Sequence, residues 1–170
     1  MNNKVITSKV DLLFKPLKIG SLELENRIVM APMTRKFSKN GIPGKDVAEY
    51  YKKRAENGVG LIITEGTVIN HPSSSNDHNI PHFFGENALK GWEEVVRKVH
   101  EVGGKIIPQI WHVGLDRDSQ SSPNPHHPTV SPSGVNANGE KIGNALTIQD
   151  IQQIIDKFVE AAIDAKNLGF

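Results

Sequence analysis

Three times along the chain a helix signal ends on a glycine and an apolar run begins: ENGVGLIIT at residues 56–64, EVGGKIIPQ at 101–109 and NLGF at 167–170. A glycine just past the last helical turn takes the left-handed conformation that stops a helix. A short apolar run flanked by helices is the pattern of a strand buried on both faces of a parallel sheet. The repetition therefore predicts an α/β chain of βαβ units, with a further strand expected to begin near Phe170.

The remaining elements fall between these points. RIVMAP (27–32) is the expected first strand, preceded by a hairpin, KIGSLEL, that turns at Gly20-Ser21. Asp46 reads as the N-cap of a first helix, with Glu49 three residues on, Val47, Tyr50, Tyr51, Arg54 and Ala55 along one face, and a stop at Asn57-Gly58. A second helix runs from about Asn87 to Val102 on Leu89, Trp92, Val95, Val96 and Val99. A third opens at Thr147 with Asp150 behind it and carries Ile148, Ile151, Ile154, Ile155, Phe158, Val159 and Ala162 on one side. Pro108 has no N–H for a ladder, so a local bulge is expected there. The connections after the strands, 67–86 and 112–146, are long and rich in Pro, Ser, Asn and His, as binding loops are.

Composition narrows the function. A chain of 170 residues is one domain by length, and 20 Lys and Arg against 19 Asp and Glu give a net charge of +1 with no basic stripe. Nucleic acid and membrane surfaces are therefore not the expected partners. Cysteine is absent, which removes thiolate nucleophiles and thiolate metal sites. The opening MNNKVITSKVDLLFKPL lacks the apolar run of a secretory leader, and no later stretch is long and apolar enough to span a bilayer, so a cytoplasmic setting is expected.

Ligands of α/β folds bind at the carboxyl ends of strands, which here carry APMT, TEGT and PQIWH. Gln109 offers donors and an acceptor in one plane, suited to the edge of a flat heterocycle. Trp111, two positions on, points to the same side of a persisting strand and forms an amphipathic wall. Thr34 adds a hydroxyl, and Gly66 admits close approach of the backbone. Each also has a structural role open to it: Trp111 can fill a loop base, Thr34 can cap a turn and Gly66 can serve conformation alone. His71, His78 and His82 lie among Pro, Ser and Asn without a carboxylate cluster, so no metal is expected, and His126-His127 reads as solvated loop.

LFKPLKIGSLELENRIVMAPMTR, YYKKRAENGVGLIITEGT and GWEEVVRKVHEVGGKIIPQIWHVG, in that order, resemble the N-terminal half of the old yellow enzyme family over most of residues 12–170. The resemblance implies a partial (β/α)8 TIM barrel that binds FMN, takes hydride from NAD(P)H and passes it to the alkene of an α,β-unsaturated carbonyl compound. It places Pro32, Met33 and Thr34 along the flavin, with the Thr34 hydroxyl on a ring carbonyl; it places Gly66 against the ring, Gln109 on the pyrimidine edge and Trp111 on the substrate side. Leu115 stands where many relatives carry arginine, and it receives no role.

The family's carbonyl-polarising His pair and its tyrosine proton donor are expected beyond residue 170, since Tyr50 and Tyr51 lie on the first helix. The chain thus reads as one domain over 1–170, a barrel truncated after its third helix, with open sheet edges that predict homo-oligomers. Two rival readings remain: a non-catalytic half-barrel acting as a self-associating or binding module, and a TIM-barrel lyase. The lyase needs a Schiff-base lysine or metal ligands at strand ends, whereas Lys105 starts its strand.

Overall fold

All three glycines that were expected to stop helices are left-handed, with φ of +85° at Gly58, +77° at Gly103 and +89° at Gly169. The computed structural model describes residues 9–118, 120 and 122–170, so the first eight residues of the amino-terminal segment lie outside the description. A 3-10 turn (Lys9–Phe14) leads into the hairpin β1 (Leu17–Ile19) and β2 (Leu22–Leu24), which turns at Gly20-Ser21 as predicted. The elements β3 (Val29–Met30), α1 (Lys45–Glu56), β4 (Leu61–Val68), α2 (Glu86–His100), β5 (Ile106–Trp111) and α3 (Ile148–Leu168) then alternate strand with helix. The order β3-β4-β5 is parallel throughout. Helix α1 packs on α2 and α2 on α3. Successive crossovers therefore cover the same face of the sheet, as they do around a barrel and not in a doubly wound sheet.

Between sheet and helices lies one core, built from Ile62 and Ile106 of the strands, Val47 and Tyr51 of α1, Trp92, Val95 and Val99 of α2, and Ala161 and Ala165 of α3. Phe170 closes it, its ring edge-on to Phe83 and Trp92 at 5.6 and 5.9 Å. The bulge expected at Pro108 is present, with its extra residue on the partner strand. Ile63 pairs with Ile107 and Gly66 with Gln109, which leaves Thr64 and Glu65 together opposite Pro108.

Four expectations are corrected. RIVMAP contributes only Val29 and Met30 to the sheet, because Pro32 has no N–H to extend the ladder and the chain then turns away. Asp46 is not the N-cap of α1; Gly44 is, and Asp46 sits inside the first turn, where its charge still meets the helix dipole. Glu49 reaches across to Lys98 of α2 at 3.4 Å instead of back to a cap. The apolar side of α3 splits into two rows. Ile154 and Phe158 join Ala161 and Ala165 in the core, while Ile148, Ile155 and Val159 are 82%, 47% and 51% exposed. The row 155-159-163 lies about 100° around the helix from the row 154-158, beyond the contact with sheet and α2. Finally, the connection 112–146 has structure of its own: β6 (Val130–Ser131) pairs in parallel with β7 (Asn144–Ala145), and Val135 bridges Lys141. The N-terminus of α3 matches its sequence signature, Thr147 and Asp150 forming a reciprocal capping box.

Gly91 gives a test of this packing. Alanine in a helix interior ordinarily adds stability. A Cβ on Gly91, however, would lie 2.4 Å from the carbonyl oxygen of Pro43, which leads into α1. Gly91→Ala should destabilise the chain by about 1–3 kcal/mol, as overpacking does, and urea unfolding with unchanged slope would register it; a neutral or stabilising effect would mean that the α1–α2 contact is looser than described.

Candidate functional site

The bulge decides what faces what at the strand ends. Beyond it Gly66 stands opposite Gln109 and Val68 opposite Trp111. The Trp111 indole lies back over Gly66, so close that a Cβ there would meet its ring atoms at 2.5 Å. Gly66 is therefore required by Trp111 before any ligand is considered. The indole Nε1 of Trp111 is buried without a hydrogen-bond partner. On the neighbouring segment Thr34 is exposed, Met33 is exposed and Pro32 is partly covered. Among the described residues neither the Thr34 hydroxyl nor the Gln109 side-chain amide has a protein partner. Gly66, Gln109 and Trp111 are thus brought into direct register, and Thr34 is tied to them through its neighbour Arg35.

That tie is a group which the sequence reading passed over. Glu65 is fully buried within the apolar strand. Its carboxylate accepts the backbone N–H of Arg35 at 3.1 Å and faces the Arg35 guanidinium at 3.3 Å. The guanidinium lies 3.5 Å from the ring centroid of Tyr50, and that of Arg54 lies 3.4 Å from the same centroid. Two cations cannot share one face at that distance, so the ring is sandwiched between them. The Tyr51 hydroxyl accepts the Glu65 N–H at 2.8 Å, and burial raises its pKa above the ordinary tyrosine value. The signal was present in LIITEGT: a charge inside an apolar strand requires a partner.

The two long loops meet at a histidine pair. His112 Nδ1 accepts the Gly114 N–H at 3.0 Å, so its proton sits on Nε2 and is directed at His71 Nδ1, 2.9 Å away. Val113 N–H donates to the Ser74 carbonyl and the Ser73 hydroxyl to the Pro128 carbonyl, fastening the same loops together. Arg117 is buried and donates to the carbonyls of Pro123, Asn124 and His127. Leu115 lies against Gly143 instead, where a Cβ would meet its Cδ2 at 2.7 Å. His71, His78 and His82 line a cavity of about 250 Å³ with Asn40 and Phe84. No set of three or more ligating side chains is placed to hold a metal among the described residues. Lys105 lies in a second cavity, of about 480 Å³, at the opposite end of the sheet with Gly58, Gly60 and Gly104. A strand-end amine of the kind a lyase needs is not supplied by Lys105.

A family model described as the NADH:flavin oxidoreductase / NADH oxidase family matches residues 12–170. 12-Oxophytodienoate reductase 7 of Oryza sativa subsp. japonica is 33% identical over 171 residues, which cover 93% of this chain and 43% of that protein. Chanoclavine-I aldehyde reductase of Penicillium roqueforti is 36% identical over 160 residues, covering 93% of this chain and 42% of that protein. Among solved structures, morphinone reductase superposes with a TM-score of 0.83 at 34% identity, covering 93% of this chain and 46% of that one. The chain spans less than half the length of these relatives.

The histidine pair makes stability depend on pH. Burial first, then the neighbouring His71 and Arg117, lowers the pKa of His112 from 6.5 to about 4. The unfolded chain then binds this proton more tightly than the folded one. The stabilisation is complete above about pH 6.5 and is lost as pH falls toward 4. Because His112 is only half-buried, the loss should be about 1–2 kcal/mol and not the full equivalent of the shift. Thermal melts between pH 7.5 and 4.5 measure it, and His112→Asn should flatten the slope.

Proposed function

The chain belongs to the NADH:flavin oxidoreductase / NADH oxidase family, and from that premise we propose that residues 1–170 form one domain, the N-terminal part of an FMN-binding (β/α)8 barrel. The protein it serves would carry hydride from NAD(P)H by way of FMN to the C=C bond of an enone or related small molecule. Relatives named as reductases of 12-oxophytodienoate and morphinone support the substrate class. The same proposal sets the protein in the cytoplasm; no helix among the described residues is long and apolar enough to cross a membrane.

The observation that carries the reading is the set of polar groups without protein partners at adjacent strand ends: the Thr34 hydroxyl, the Gln109 amide and the buried Trp111 Nε1. A flat ring with an imide edge fits that donor and acceptor set. Gln109 would read the pyrimidine edge, Thr34 would donate to a ring carbonyl, and Pro32, Met33 and the Gly66 backbone would line the ring. Trp111 would wall the substrate side. Bound FMN supplies the hydride-accepting and hydride-donating centre. This chain's residues bind and orient it and exclude water from one side. None of the groups brought together here is the expected carbonyl-polarising His pair, so the contribution proposed is cofactor binding.

A second reading, self-association into homo-oligomers, is favoured by the exposed α3 row of Ile155, Val159 and Ile163 and by Ile107 on the edge strand β5. Light scattering on the purified chain should report dimers or larger species, with weak FMN binding at most and no enone reduction. A stable monomer that holds FMN stoichiometrically and reduces an enone would overturn it.

The Thr34 role has its own measurement. One neutral hydrogen bond contributes about 0.5–1.5 kcal/mol, or about 10–30 mV for a two-electron couple. In the FMN-loaded protein Thr34→Ala should lower the flavin midpoint potential by that amount with the cofactor retained. An unchanged potential would remove Thr34 from the site.

A further inference from the structure

We propose that Glu65 is a positioning residue for the cofactor face: through Arg35 it sets the direction of Thr34, and it does so with both oxygens of a carboxylate held at that reach. This rests on the flavin reading above and adds to it a residue that touches neither cofactor nor substrate. The β3–β4 ladder stops at Met30 and Ile62. From there to Ser38, whose N–H donates to the Asn79 carbonyl, the only backbone hydrogen bond among the described residues is the one from Arg35 N–H to the Glu65 carboxylate. Segment 31–37 therefore has no sheet to hold it, and one carboxylate takes the place of the ladder.

The chemistry requires that carboxylate to be charged. Glu65 receives two donors from Arg35, the backbone N–H on one oxygen and the guanidinium on the other. Both oxygens must accept at once. An amide in the same place has one accepting oxygen and one NH2, which would face a donor whichever way it turned. The peptide between Thr34 and Arg35 is fixed by the first bond, and the Arg35 side chain by the second and by the Tyr50 ring. Arg35 thereby occupies the side facing Glu65, Tyr50 and Tyr51, which leaves Thr34 exposed on the strand-end face. On β4, Glu65 immediately precedes Gly66, the residue covered by Trp111. One side chain thus couples the two strand ends that the cofactor would touch.

The test uses the whole 170-residue chain labelled with ¹⁵N, as wild type, Glu65→Gln and, as a stability control in α2 away from the strand ends, Gly91→Ala. Amide hydrogen exchange and chemical shifts are followed at Thr34, Arg35 and the sheet residue Ile62, and each protein is titrated with FMN by flavin fluorescence. Glu65→Gln is expected to speed Arg35 exchange about tenfold relative to Ile62, the loss of one buried hydrogen bond, to shift the Thr34 amide, and to weaken FMN binding by a similar factor. Gly91→Ala, at an equal or larger loss of melting temperature, should leave Thr34, Arg35 and FMN binding as they are. If Glu65→Gln does not fold, Glu65→Asp keeps the charge but draws it back by one methylene, and should give the same exchange phenotype. A folded variant in which Arg35 and Thr34 behave as in wild type overturns the proposal, as does a Thr34 shift with FMN affinity unchanged. If the isolated chain binds FMN too weakly to titrate, the exchange result still decides whether Glu65 positions Thr34, and the flavin reading is judged separately by the Thr34→Ala potential in the FMN-loaded protein.

Discussion

Pro108 has no N–H to give to β4, and the strand ends are arranged around that gap. Opposite it β4 carries two residues where one would pair, Thr64 and Glu65. The Thr64 hydroxyl repairs the ladder by accepting from Gln109 N–H at 3.1 Å and donating to the Glu65 carbonyl at 2.8 Å. The extra residue resets the register, so that Gly66 faces Gln109 and the Trp111 indole can lie over the glycine. It also turns Glu65 toward α1, where Tyr51 and Arg35 meet it. A bulge is a usual device for re-aiming side chains near a site. Here it aims three at once.

How much of this could be read from the sequence follows the range of each interaction. Glycine stops at 58, 103 and 169 and the Thr147–Asp150 capping box are local, settled within five residues, and the structure contains them as expected. The N-terminus of α1 is equally local, yet Asp46 was misplaced by two positions, because Gly44 can cap a helix without a side chain. The α3 stripe failed for a different reason. Periodicity reports which residues are apolar, not how wide a neighbour they will meet, and only one of two adjacent rows found one. The Glu65–Arg35 pair spans 30 residues. The strand pattern shows that a buried carboxylate needs a partner; which of many cations supplies it is settled only when α1 folds back over β4.

The long polar loops illustrate the same divide. Their composition marks them as irregular, and their order comes from buried contacts that composition does not reveal. Arg117 gathers three carbonyls from 123–127, and His71 and His112 join the loop after β4 to the loop after β5. Leu115, where an arginine was looked for, makes an apolar contact with Gly143. The buried guanidinium in this loop is two residues later, at Arg117, and its hydrogen bonds are spent on the loop itself.

Gly66 shows how structural need and ligand recognition separate at one site. A bare α-carbon at a strand end invites a cofactor, but the Trp111 ring already fills the space that a Cβ would take. The glycine would be required with or without a ligand. What the packing does not account for is polarity: an indole N–H buried without an acceptor, and a hydroxyl and a carboxamide on flanking strand ends that no protein group engages. Of these groups only the indole N–H carries the cost of a buried unpaired donor, about 1–3 kcal/mol, since the Thr34 hydroxyl is exposed to water and Gln109 is only partly covered. The three groups lie past the end of β3 and on β5, at the carboxyl-terminal side of the sheet where ligands of α/β folds bind, whereas the opposite end of the sheet opens into the cavity lined by Gly58, Gly60 and Gly104.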